Sequence, residues 1–80
     1  MAERRVRLTY PKSLLHEPLL YQLIRDYDVI TNILQANVGI ESGWLIVSIR
    51  GEEAAITRGL EWMASQGVTI DRLSGFPEEK

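Results

Sequence analysis

The chain contains no cysteine, which excludes disulfides, thiolate zinc sites and iron–sulfur ligation by its own residues and fits a reducing compartment. Its one histidine, His16, lies in a linker between two strong secondary-structure signals, and a nucleophile with no base beside it is not activated for catalysis. No apolar run approaches the roughly 18 residues of a membrane span. The N-terminal MAERRVRL carries charges where a secretory signal needs an apolar core. The expected location is therefore the cytoplasm, with no direct membrane insertion.

Acid–base and metal chemistry are equally thin. Glu52 and Glu53 are neighbours, as are Glu78 and Glu79, and neighbours do not face each other across a cleft as a catalytic pair must. No group of His, Asp and Glu has ligand spacing, and the 6 glycines are dispersed rather than gathered into a phosphate-cradling loop. The reading is a non-enzyme with no cofactor and no metal. Nine Lys and Arg against 11 Asp and Glu give a net charge of −2, which argues against nucleic acid as a partner.

What is present is a folding pattern. With 45% hydrophobic and 25% charged residues over 80 positions, the composition is that of one compact domain covering residues 1–80. From Arg4 to Tyr10, Val6, Leu8 and Tyr10 alternate with Arg5, Arg7 and Thr9, the period of a half-buried strand. After the linker KSLLHE and Pro18, the residues Leu19, Leu20, Leu23, Ile24 and Tyr27 recur at helical spacing. Asp28 breaks that helix. Val29 to Ile40 and Trp44 to Arg50 read as two strands of a hairpin turning at Glu41, Ser42 and Gly43.

Glu52 and Glu53 suit the positive end of a second helix, whose buried side is Ala55, Ile56, Gly59, Leu60 and Met63. Gly67 is a left-handed stop, Val68 to Leu73 make a last strand, and SGFPEEK is a polar, frayed tail. The order β-α-β-β-α-β predicts an α+β, ferredoxin-like sandwich: a four-stranded antiparallel sheet with two helices on one face. The second strand is then an edge, to be protected or used for pairing.

Two features ask for a function. The uncovered sheet face is expected to carry Arg5, Arg7, Thr9, Trp44, Ile46, Ser48, Thr69 and Asp71. Exposed Trp44 and Ile46 on that polar ground would form a contact surface, unless the tail or a loop covers them. An aromatic beside two arginines also fits a base-stacking platform, against the acidic balance. The second feature is Asn32. Reading every second residue of its strand gives Ile30, Asn32, Leu34, Ala36 and Val38, an apolar row interrupted by a carboxamide, a group that both donates and accepts. A buried amide without a partner costs about 1–3 kcal/mol, so either a ligand or the backbone at the helix-to-strand corner should engage it.

TNILQANV, followed by a hairpin into GWLIVSIRG, an acidic helix start in GEEAAITRGLEWM and a final SQGVTI, resembles the NIL domain, named for the triplet that here is Asn32, Ile33 and Leu34. The similarity covers roughly Arg5 to Leu73. In that family the domain is ferredoxin-like and is best known at the C-terminus of the ATPase subunit of methionine-importing ABC transporters. Paired copies there bind methionine and inhibit transport when it is plentiful.

The resemblance implies a homodimeric, non-enzymatic sensor with its ligand site at Asn32 of the triplet, and the strand pattern places Ile30, Ile33 and Leu34 beside it as the expected ligand-contacting residues. The other reading is an interaction module without a small ligand, using Trp44 and Ile46 to bind a transporter subunit or a ferredoxin-type protein, since NIL domains also occur joined to iron–sulfur modules. With no phosphate-binding loop in these 80 residues and a natural start at Met1, a stand-alone protein whose activity is not transport itself is expected.

Overall fold

The computed structural model describes residues 1–73; the tail expected from SGFPEEK lies outside the described residues. The elements are β1 (Ala2–Pro11), a short 3-10 turn (Lys12–Leu14), α1 (Leu19–Tyr27), β2 (Ile30–Val38), β3 (Ser42–Gly51), α2 (Glu53–Gln66) and β4 (Thr69–Leu73). The strands form one sheet in the order β2-β3-β1-β4, with every neighbouring pair antiparallel. This is the ferredoxin-like α+β arrangement that the element order predicts.

The register assigns the faces. Val6 stands opposite Val47 and Leu8 opposite Leu45, and these residues join Leu19, Leu23, Ile56, Leu60 and Met63 in one core, so both helices lie on that side. Seven side chains, Val6, Leu8, Leu23, Val47, Ile49, Ile56 and Met63, are less than 2% exposed, each contributing about 1.5–3 kcal/mol by burial. The opposite face carries no helix. Arg4, at the end of the covered face, donates to Thr57 Oγ1 at 2.8 Å and pairs with Glu53, fastening β1 to the first turns of α2.

Helix ends follow their local chemistry. After α2, Gly67 takes a φ of 111°, its N–H bonds the Ala64 carbonyl at 3.0 Å, and the Val68 N–H bonds the Met63 carbonyl at 3.2 Å. This pair of bonds is the Schellman closure. After α1 the same left-handed conformation falls on Asp28, with φ 56° and ψ 49°, a position that short polar side chains tolerate better than bulky ones. The helices cross closely because Gly59 has no side chain: a Cβ there would lie 2.6 Å from Leu23 Cδ1. The linker is more ordered than its composition implies, for Leu14 and Leu15 pack against the core.

One local feature changes the reading of β2. Ile33 is opposite Val47 and Gln35 opposite Ile46, leaving Leu34 as an extra residue in a β-bulge, which switches the alternation of faces. Before the bulge Ile30 and Asn32 share the helix-free face with Arg50 and Ser48. After it, Ala36 and Val38 face the helix side with Leu45 and Gly43. The single row expected from Ile30 to Val38 is thus two half-rows on opposite faces.

Candidate functional site

Asn32 is held by the outermost strand directly opposite Ser48 of β3, and on the other side of Ser48 stands Arg5 of β1. The three side chains form a polar row across the helix-free face. Directly opposed residues have Cβ atoms about 4.5–5.5 Å apart, close enough for two neighbours to touch one small ligand. Asn32 is exposed, and its side chain has no hydrogen bond among the described residues. The expectation that the backbone at the helix-to-strand corner engages this amide is therefore overturned. So is its expected burial: an edge position on the open face leaves the amide to solvent without an energetic penalty.

Ser48 is only 6% exposed, although no helix covers it, because it lies in a central strand between the longer side chains of Asn32 and Arg5. Arg5 pairs with Glu3 at 3.9 Å. It also lines a polar hollow of about 220 Å³ with Arg4, Arg72, Glu3 and Leu73. The cationic side of this hollow suits a carboxylate, as guanidinium groups match it with two parallel N–H donors.

The other expected ligand residues do not converge on Asn32. Ile30 is on the same face and 57% exposed, whereas Ile33, 54% exposed, points to the helix side. Leu34 is half-buried in the bulge. Ordinary alternation places Ile33 on the face opposite Asn32, and the one-residue bulge, invisible in the sequence pattern, removes Leu34 from the row. Conversely, Ser48 and Arg5 became neighbours of Asn32 only through the register.

The contact surface expected at Trp44 and Ile46 is also altered. Ile46 is 8% exposed, shielded between its register partners Arg7 and Gln35. Trp44 is half-buried, with the Arg7 guanidinium carbon 4.7 Å from its ring centroid, a cation–π arrangement. The arginine that was expected to stand beside an open aromatic lies over it.

A second, apolar hollow of about 190 Å³ lies at the far end of β2, between the start of α1 and the hairpin, lined by Tyr10, Leu15, Leu19, Leu20, Val38 and Leu45 among others, with Glu17 the one charged residue. Burial pushes the Tyr10 phenol up to about 12, so this wall stays neutral. Val38 is six residues from Asn32, roughly 20 Å along a strand, so the hollow is not beside the carboxamide.

The model of the NIL domain family matches residues 4–72. The chain belongs to the NIL domain family. It is 37% identical over 79 residues to a methionine import ATP-binding protein of Enterococcus faecalis, covering 94% of this chain and 22% of the relative. A methionine import ATP-binding protein of Streptococcus pneumoniae is 36% identical over 74 residues, 88% of this chain and 21% of the relative. This NIL domain thus spans about a fifth of the length of the curated relatives it matches. In fold it is similar to the crystal structure of the C-terminal domain of an ABC transporter ATP-binding protein from Enterococcus faecalis, with a TM-score of 0.78 at 23% identity over 89% of this chain and 83% of the other. No helix among the described residues of the NIL domain is long and apolar enough to cross a membrane.

Proposed function

We propose that this NIL domain is a non-enzymatic regulatory module that binds methionine or a similar amino acid on its helix-free sheet face, between paired copies on the cytoplasmic side of a membrane. The observation that carries the reading is the free carboxamide of Asn32, opposite Ser48 and in the same cross-strand row as Arg5. An amino acid presents an ammonium, a carboxylate and a side chain. The Asn32 carbonyl accepts from the ammonium, the hydroxyl of Ser48 and the guanidinium of Arg5 suit the carboxylate, and Ile30, on the same face, offers apolar contact. The curated relatives are methionine import ATP-binding proteins, which supports methionine as the ligand and a transporter subunit as the partner.

Calorimetric titration of the purified protein with methionine tests this reading. Saturable heat that disappears in Asn32→Ala supports it, and no heat at millimolar methionine refutes it.

The reading of an interaction module without a small ligand keeps one favourable observation, the exposed apolar side chains along β2 and α1. It moves the contact surface from Trp44 and Ile46 to that flank. A transporter subunit or a ferredoxin-type protein retained by wild type but not by Ile33→Asp, with Asn32→Ala unaffected, would favour it over ligand binding.

A further inference from the structure

The chain has a net charge of −2, yet Arg4, Arg5 and Arg72 line a single hollow of about 220 Å³ with Glu3 and Leu73. They reach it from two neighbouring strands. Arg72 of β4 stands opposite Val6 of β1, and Leu73 stands opposite Arg5. Val6 belongs to the core, so alternation places Arg4 and Arg72 on the helix side of the sheet and Arg5 on the helix-free side. Guanidinium groups thus flank the hollow from both faces.

The three cations are committed to different degrees. Arg4, its side chain 19% exposed, uses one nitrogen, Nη2, for both Glu53 and Thr57, which fixes the group while its Nε and Nη1 make no hydrogen bond among the described residues. Arg5 meets Glu3 at 3.9 Å, well beyond the roughly 2.7–2.9 Å of a charge-assisted hydrogen bond. Arg72 is exposed and makes neither a hydrogen bond nor an ion pair among the described residues. Glu3 is the one carboxylate in the lining. Donors therefore outnumber acceptors.

We infer that this hollow is a binding site for the phosphoryl group of a small phosphate ester. A planar carboxylate is saturated by the fork of one guanidinium, whereas a tetrahedral phosphoryl group presents three terminal oxygens in different directions and carries close to two negative charges at neutral pH. Donors converging from two strands and both faces of a sheet match the second geometry. Arginine suits the task better than lysine because its fork is planar and permanently charged. The hollow is smaller than the roughly 300–1,000 Å³ clefts that enclose drug-sized ligands, and Leu73 is its one apolar lining residue among those described. Recognition accordingly falls on the phosphoryl group, with the organic part of the ester left outside.

The site is separate from the one proposed for an amino acid. Arg72 faces the helix side, away from the row of Asn32, Ser48 and Arg5 on the other face. A phosphate ester bound there gives the domain a second input.

Titration of the intact chain with glycerol phosphate, followed in a nitrogen–proton correlation spectrum, tests the inference. The expected result is saturable movement of the backbone signals of residues 3–5, 72 and 73, with affinity lowered about tenfold or more in Arg72→Gln, as loss of one charge-assisted hydrogen bond implies, and partly restored in Arg72→Lys. Arg72 is exposed, so these variants should unfold at the wild-type urea midpoint. Co-sedimentation with vesicles containing phosphatidic acid identifies the carrier of the group: saturable shifts without retention assign the site to a soluble ester, and retention lost in Arg72→Gln assigns it to a lipid headgroup. No saturable shift at tens of millimolar glycerol phosphate together with no retention, or the same shifts with sodium chloride at equal ionic strength, overturns the inference, since general screening acts on all exposed charges alike. So do shifts and retention that Arg72→Gln leaves unchanged. The heat of methionine binding should be the same in Arg72→Gln as in wild type, so the two proposals stand or fall separately.

Discussion

Asn32 of β2 stands directly opposite Ser48 of β3 on the sheet face that no helix covers. The carboxamide is exposed and makes no hydrogen bond among the described residues, while its neighbour is nearly buried. A polar side chain that the fold does not use is one that can be changed without harm to the fold. Asn32→Ala should therefore shift the unfolding free energy by less than about 0.5 kcal/mol while weakening amino-acid binding at least about tenfold. Urea denaturation and calorimetry on the same preparation measure both.

Gly59 should be intolerant for the opposite reason. An added Cβ would lie 2.6 Å from Leu23 Cδ1, and Leu23 is 1% exposed and has little room to move. Gly59→Ala should cost about 1–3 kcal/mol by overpacking the α1–α2 crossing, despite the higher helix propensity of alanine. A lower urea midpoint with an unchanged slope is the expected observation.

Asp28 occupies a left-handed position that glycine adopts without steric strain. Its side chain makes no hydrogen bond among the described residues. Asp28→Gly should stabilise the protein by up to about 1 kcal/mol, read as a higher midpoint of thermal unfolding.

Burial raises the Tyr10 phenol from 10.0 to about 12. The folded state therefore holds this proton where the unfolded chain has released it, and the corresponding stability is complete below pH 10 and lost between about pH 10 and 12. Tyr10→Phe removes the dependence. The difference in unfolding free energy between wild type and this variant should be flat from pH 7 to 9 and move against wild type above pH 10.

The extent to which the sequence disclosed all this follows the physics of each feature. Alternation in Val6, Leu8 and Tyr10, helical spacing in Leu19, Leu23 and Tyr27, and the stop at Gly67 depend only on near neighbours, and they were enough for the element order and the ferredoxin-like fold. The bulge at Leu34 depends on how β2 meets β3, and no local signal distinguishes it from regular alternation, so the partition of Ile30, Asn32, Ala36 and Val38 between faces was hidden. Ile46 looked exposed because alternation assigns a face without accounting for Arg7 and Gln35 on either side. The proximity of Ser48 and Arg5 to Asn32 joins three separate strands, which only the register supplies.

The side-chain amide resonances of Asn32 report on the proposed site most directly. In a nitrogen–proton correlation spectrum recorded while methionine is added, those resonances and the backbone signal of Ser48 should move in a saturable way, while Leu19, Leu20 and Val38 around the apolar hollow stay in place. Unmoved Asn32 resonances at millimolar methionine, or shifts confined to the hollow, would contradict the assignment of the ligand to the helix-free face.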